Sequence, residues 1–159
     1  MILLTIGTQL PFDRLVKALD DLAPSLSEEI FGQIGAASYQ PVHMQWAARL
    51  RPDQFEEKFR AASVIVSHAG IGTILTAQKL HKPLIIVPRL AKYGEHRNDH
   101  QLATASQVKD KPGVYVANDV GELPELLQRG DLEAAHDDAE MAGRANFVNN
   151  IRSFLAGSV

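Results

Sequence analysis

Val64-Ile65-Val66-Ser67-His68-Ala69-Gly70-Ile71-Gly72-Thr73 carries the clearest structural signal in the chain. A short apolar run ends in small residues and glycines, and a second apolar run, 71–80, follows at helical spacing. This is a buried strand turning directly into a helix. The first N–H groups of such a helix have no partner within it, and the helix dipole points its positive end at the same place. The turn is therefore a ready seat for an anion, and a phosphate fits it. The plainer alternative is a tight strand-to-helix turn with a hydrogen-bonded histidine. The motif lacks the third glycine of the dinucleotide fingerprint and the Gly-Lys-Ser/Thr of a Walker A loop.

On either side of it, apolar runs at 2–6, 31–34, 42–46, 63–66, 84–87 and 114–116 read as six strands. The fifth is bracketed by Pro83 and Pro88. Between them lie helical patterns. Residues 12–22 carry Phe12, Leu15, Val16, Leu19 and Leu22 on one face, with Pro11 at a first-turn position. Pro52-Asp53 opens a short helix bearing Phe55 and Phe59, and 98–108 forms another. Asp119 and Glu122 have capping-box spacing. A C-terminal helix is predicted at about 137–156, with an apolar stripe of Phe147, Val148, Ile151, Phe154 and Leu155. Strands alternating with helices predict an α/β fold: a Rossmann-like open parallel sheet with helices on both faces. Trp46 and Met44 are expected in the core.

The chain has 159 residues, which suits a single domain over 1–159. Its formal net charge is −3, and it has no long basic run, which argues against nucleic acid as a partner. It has no cysteine, so thiolate chemistry and disulfides are excluded. No segment approaches the roughly 20 apolar residues of a membrane span. Residues 1–6 lack a basic n-region and a cleavage site, so they do not read as a signal peptide.

In an open parallel sheet, ligands bind beyond the carboxyl ends of the strands. Three loops qualify: Gly7-Thr8-Gln9, His68 to Thr73, and Arg89 to Gln101. In the first, Gly7 and Thr8 offer N–H groups, although alone the loop reads as a plain turn. In the second, Gly70 and Gly72 allow close backbone approach, while His68 and Thr73 add donors. The third contains Glu95-His96-Arg97-Asn98-Asp99-His100-Gln101, the densest polar stretch in the chain. A solvated helix start explains many such runs, but this one follows a buried strand. Arg89, Lys92 and Arg97 are candidates to pair with a phosphate or a carboxylate. His96 and His100, four apart, could share a metal, but no third ligand is evident, so no metal site is assigned. His43, His81 and His136 carry no motif. No Gly-x-Ser-x-Gly elbow appears, which argues against a serine hydrolase.

Taken together these loops resemble glycosyltransferase family 28, in its C-terminal, donor-binding half. The resemblance spans nearly the whole chain. It rests on Thr5-Ile6-Gly7-Thr8, Ser67 to Thr73, Lys82-Pro83 leading into Leu84 to Arg89, and Glu95 to Gln101. The Gly94 to Gln101 run is most similar to the small subunit of bacterial exopolysaccharide glucuronosyltransferases. The resemblance implies one half of a GT-B fold holding a UDP-sugar substrate, with no cofactor. It places His68, Gly70, Gly72 and Thr73 at the diphosphate, and Asp99, His100 and Gln101 at the donor sugar, with the rest of the 95–101 run beside them. Many relatives carry a glutamate four residues after the last glycine, where it can hold the ribose. Here that residue is Thr76.

A GT-B enzyme needs two such domains across a cleft. The resemblance therefore implies a hexosyltransferase subunit, active only with a membrane-anchored partner that binds the acceptor and supplies the general base. It also implies a place in the cytoplasm at the inner face of the membrane. The alternative is a non-catalytic module that binds a nucleotide-sugar or a partner. It is favoured by the lack of an evident base, since neither Asp13 nor Glu95 has an activating neighbour in the sequence.

Overall fold

The computed structural model describes residues 1–137. Its centre is a six-stranded, wholly parallel sheet in the order β3-β2-β1-β4-β5-β6. The strands are β1 (Ile2–Thr5), β2 (Ile30–Gln33), β3 (Gln45–Ala47), β4 (Val64–His68), β5 (Leu84–Val87) and β6 (Val114–Val116). The helices are α1 (Asp13–Leu22), α2 (Pro52–Ala61), α3 (Ile71–Leu80), α4 (His100–Val108) and α5 (Leu123–Gln128). The Rossmann-like arrangement predicted from the alternating pattern is what forms.

Strand alternation sends neighbouring side chains to opposite faces. Ile2, Leu4, Val66, Ile85 and Val87 pack under α1 and α5, against Leu15, Val16, Leu19 and Leu123. Leu3, Ile65, Leu84, Ile86 and Val114 pack on the other face against Phe59 of α2, Ile74 and Ala77 of α3, and Ala105 and Val108 of α4. Both faces are covered, which is why the strands read as continuous apolar runs rather than alternating ones.

Several ends are fixed by local chemistry. The capping box at Asp119 is present: its Oδ1 accepts from Val120 N at 2.9 Å, and Glu122 Oε2 accepts from Asp119 N at 3.0 Å. Lys82 Nζ donates to Arg60 O at 2.6 Å and Ala62 O at 2.9 Å, satisfying carbonyls at the end of α2. Past α5 the chain passes under the start of β6. Ala135 N donates to Lys82 O at 3.2 Å and His136 N to Pro112 O at 3.3 Å. Gly113 (φ +74) lies against this strap, where a Cβ would overlap the 134–135 backbone.

Pro11 precedes the helix rather than entering it, because Phe12 is the N-cap residue of α1. The third strand lies at Gln45–Ala47, later than expected, and sits at the sheet edge with little burial. Met44 is core, but Trp46 is 38% exposed, since an edge strand has only one neighbour to cover it. α4 begins at His100, two residues late, because Asn98 and Asp99 form its cap region. The helix expected at 137–156, with its apolar stripe, lies outside the described residues. No described helix is long and apolar enough to cross a membrane.

Candidate functional site

The chain order reverses between β1 and β4, which are neighbours in the sheet. At such a reversal the two following loops diverge and leave a crevice. Here it is a cleft of about 560 Å³, lined among others by Gly7, Thr8, His68, Gly70, Gly72 and Thr73. All six residues predicted at the anion seat are therefore brought together. The first bond inside α3 runs from Ile74 N to Gly70 O at 3.2 Å, and no side chain caps the helix. The N–H groups of Ile71, Gly72 and Thr73 precede that bond and face the crevice end of the helix.

A second cavity of about 570 Å³ adjoins the first and shares Gly7, Thr8, Phe55 and Thr73 with it. Gln33, Arg49, Leu50 and Pro52 close its far side. The two form a trough with a polar centre and a more apolar end. Among the described residues lining either part, none is acidic.

His68 is largely buried at the trough floor. Burial, then the electrostatic influence of Arg89 and His96, pushes its ring down to about 4. At neutral pH it is an uncharged ring. Its partner is Gln101, whose Nε2 lies 3.1 Å from His68 Nδ1. Gln101 Oε1 also accepts from Ala69 N at 3.3 Å and Arg89 N at 2.9 Å.

Arg89 lines the cleft, as an anion contact must, but much of its guanidinium serves the fold. It is buried, and its guanidinium donates to Ile6 O at 2.6 Å, Leu10 O at 2.9 Å and Pro11 O. It also stacks 4.9 Å from the Phe12 ring centroid. Its two terminal nitrogens are engaged by the loop after β1, so it shapes that loop, and from the cleft wall it supplies positive field to the trough. Burial holds its guanidinium below the ordinary value, and Glu95 opposes the shift.

The 95–101 run divides. His96 and Gln101 line the cleft. Glu95 instead receives both nitrogens of an Arg14 fork at 3.0 Å each, and also accepts from Leu90 N at 3.1 Å. Asn98 Oδ1 accepts from His100 N at 2.9 Å, and Asp99 Oδ1 from Ala91 N at 3.0 Å. Lys92, Arg97, Asn98, Asp99 and His100 are exposed and do not line the cleft. Asp13, the other acid weighed as a base, accepts from Ser38 N at 2.9 Å. No group of three or more His, Asp or Glu that could hold a metal occurs among the described residues.

Three contributors were not read from the sequence. Arg14 ties the 88–95 segment to α1 and also reaches Asp119 at 3.3 Å and Pro88 O at 3.3 Å. Gln33 joins two loops: it accepts from Thr5 Oγ1 at 2.7 Å, and its Nε2 donates to Ala48 O at 3.0 Å and Gly7 O at 3.3 Å. Phe55 forms the wall shared by both cavities. None stands in a motif, although a glutamine inside a buried strand is itself a signal of a polar task.

Residues 1–154 match the glycosyltransferase family 28 C-terminal domain. The chain belongs to this family. No curated protein gives a significant sequence match. Solved structures with the same fold include a glycosyltransferase of kitacinnamycin, at 16% identity and a TM-score of 0.58. SnogD of Streptomyces nogalater stands at 16% and 0.51, and MurG of Acinetobacter baumannii at 20% and 0.55. The matches cover 80%, 80% and 79% of this chain but only 35%, 34% and 38% of those proteins. This family 28 domain thus spans about a third of the length of the enzymes it resembles. Its six-stranded sheet corresponds to the C-terminal half of a GT-B glycosyltransferase.

Proposed function

We propose that this domain holds the UDP-sugar donor for a two-component glycosyltransferase. The diphosphate lies at the mouth of α3, against the N–H groups of Ile71, Gly72 and Thr73 and the His68 ring. The uracil end extends over Phe55 into the cavity closed by Leu50 and Gln33. One observation carries the reading. The uncapped helix start and the buried ring converge on one trough of donor-ligand size with no acid among its described lining residues.

On this reading the chain supplies leaving-group stabilisation. As the sugar–oxygen bond breaks, charge grows on the departing diphosphate. Fixed amide dipoles and a neutral ring donor stabilise it without reorganising. Removing one such donor costs about a hundredfold or more in turnover. Neither acid weighed as a base is free for that task, since Asp13 and Glu95 are both held by structural partners. We therefore assign the base and the acceptor site to a membrane-anchored partner, with this domain at the cytoplasmic face beside it. The acceptor is then a lipid-linked saccharide of an exopolysaccharide pathway. An acid-free wall bearing His96 suits a donor sugar with its own carboxylate, and glucuronic acid is the sugar we propose.

Titration calorimetry with UDP, UDP-glucuronate and UDP-glucose tests the reading. Binding of all three, tightest for the glucuronate, is expected. No binding of UDP would overturn the donor assignment. Equal affinity for the two sugars would overturn the choice of sugar alone. Transfer assayed with and without an acceptor-half partner then separates an enzyme subunit from a binding module.

A further inference from the structure

Gln101 was expected at the donor sugar; it lines the cleft, and both ends of its amide also hold groups of the protein. Its Oε1 accepts from two backbone N–H groups, Ala69 N and Arg89 N. Those donors cannot act as acceptors, so the amide cannot be turned over without setting N–H against N–H. Its Nε2 is therefore the atom that faces the His68 ring, 3.1 Å from Nδ1. An amide N–H can only donate. Nδ1 must then be the bare nitrogen, and the ring proton sits on Nε2. That second nitrogen is aimed at the cleft, since a Cβ on Gly70 would lie 2.8 Å from it and one on Gly7 3.0 Å.

We infer that Gln101 is a positioning residue that holds His68 as the Nε2–H tautomer, an uncharged donor aimed into the trough. The inference deepens the donor-site reading and rests on it for its purpose, but the tautomer follows from the backbone geometry alone. The charged and titratable groups facing the ring are Arg89 after β5 and His96 in the following loop, and both oppose protonation. A protonated ring would also set a second N–H against the Gln101 amide. The same side chain joins the turn after β4 to the end of β5, so α4 reports on both.

The test is the ring nitrogen spectrum of the full chain labelled with 15N-histidine, followed between about pH 5 and 8. His68 signals are assigned by their loss in His68→Gln. The expected ring carries its proton on Nε2 and does not titrate across the range. A wild-type ring protonated on Nδ1, or one that titrates near the ordinary histidine value, would overturn the inference. Gln101→Glu supplies the converse. A carboxylate facing Nδ1 can only accept, so the ring should gain a proton there and titrate at higher pH. UDP affinity near pH 8 should fall about tenfold in that variant. The wild-type spectrum needs no ligand, and the one variant it uses serves only to assign the signals. A protein that shows the Nε2–H ring but binds no UDP supports this inference while overturning the donor-site reading.

Discussion

Gly70 and Gly72 stand two positions apart and tolerate a methyl group very differently. A Cβ at Gly70 would overlap the His68 ring, whereas one at Gly72 meets nothing within 4 Å. Gly70→Ala should therefore push the ring aside and weaken UDP binding by about tenfold or more, as measured by calorimetry. Gly72→Ala should raise thermal stability, since alanine is favoured over glycine inside a helix by about 0.5–1 kcal/mol. Any loss of UDP affinity in that variant then reports a ligand lying against the helix start, not a damaged fold. His68 also has a pH signature. Its proton is held less tightly in the folded chain, at about 4, than in the unfolded chain, near 6.5. The unfolded state takes up the proton first as pH falls, so stability is lost from about 6.5 downward and levels off below about 4. Melting temperatures across that window should fall more steeply for the wild type than for His68→Gln. Arg89→Met strands three carbonyls of the 6–11 loop, and a stability loss of about 2–3 kcal/mol in denaturant titration is expected.

At the scale of elements, α1 does more than cover the sheet. Asp20 lies on its inner face, fully buried, and accepts from Tyr39 Oη at 2.6 Å, His43 N at 2.7 Å and Val42 N at 3.0 Å. Burial raises its carboxyl, but these donors more than offset that and leave it below the ordinary value. The same bond pushes the Tyr39 phenol up to about 12. Asp20→Ala should cost about 2–3 kcal/mol by denaturant titration while leaving UDP affinity near wild type, because it loosens the approach to β3 rather than the trough. The sequence carried a sign of this. Asp20 falls four residues after Val16 on the apolar face of the helix, where a charge has no reason to be unless something binds it. β1, β4, β5 and β6 were legible to within two residues because they are continuous apolar runs closed by turn residues. β3 was not, because an edge strand of three half-wet residues has no pattern to read. The glycine turn was legible for the same reason the strands were, since it interrupts apolar runs. The tasks of Arg89, Arg14 and Gln33 were not, because partners on distant loops leave no mark in local spacing.

For the whole molecule, a parallel sheet puts every ligand-facing loop at one edge and leaves the opposite edge to hold the structure together. The strap beneath Gly113 belongs to that opposite edge and carries the chain from the α5 face, where Leu132 packs, to the α3 and α4 face, where Ala135 is buried. The helix of the trough itself is apolar on both sides. Ile74 and Ala77 point into the core, while Ile71 and Leu75 remain more than half exposed. Arg14 acts at the ligand edge as a latch. It grips Glu95, Asp119 and the Pro88 carbonyl together, and lies 4.8 Å from the Tyr93 ring centroid. The rim of the trough is thus assembled before any guest arrives, and little ordering is left for the moment of capture. Mixing the protein rapidly with UDP should give a single phase whose rate climbs in proportion to concentration. In Arg14→Ala a slower, concentration-independent phase should follow it, as the freed segment finds its place around the nucleotide.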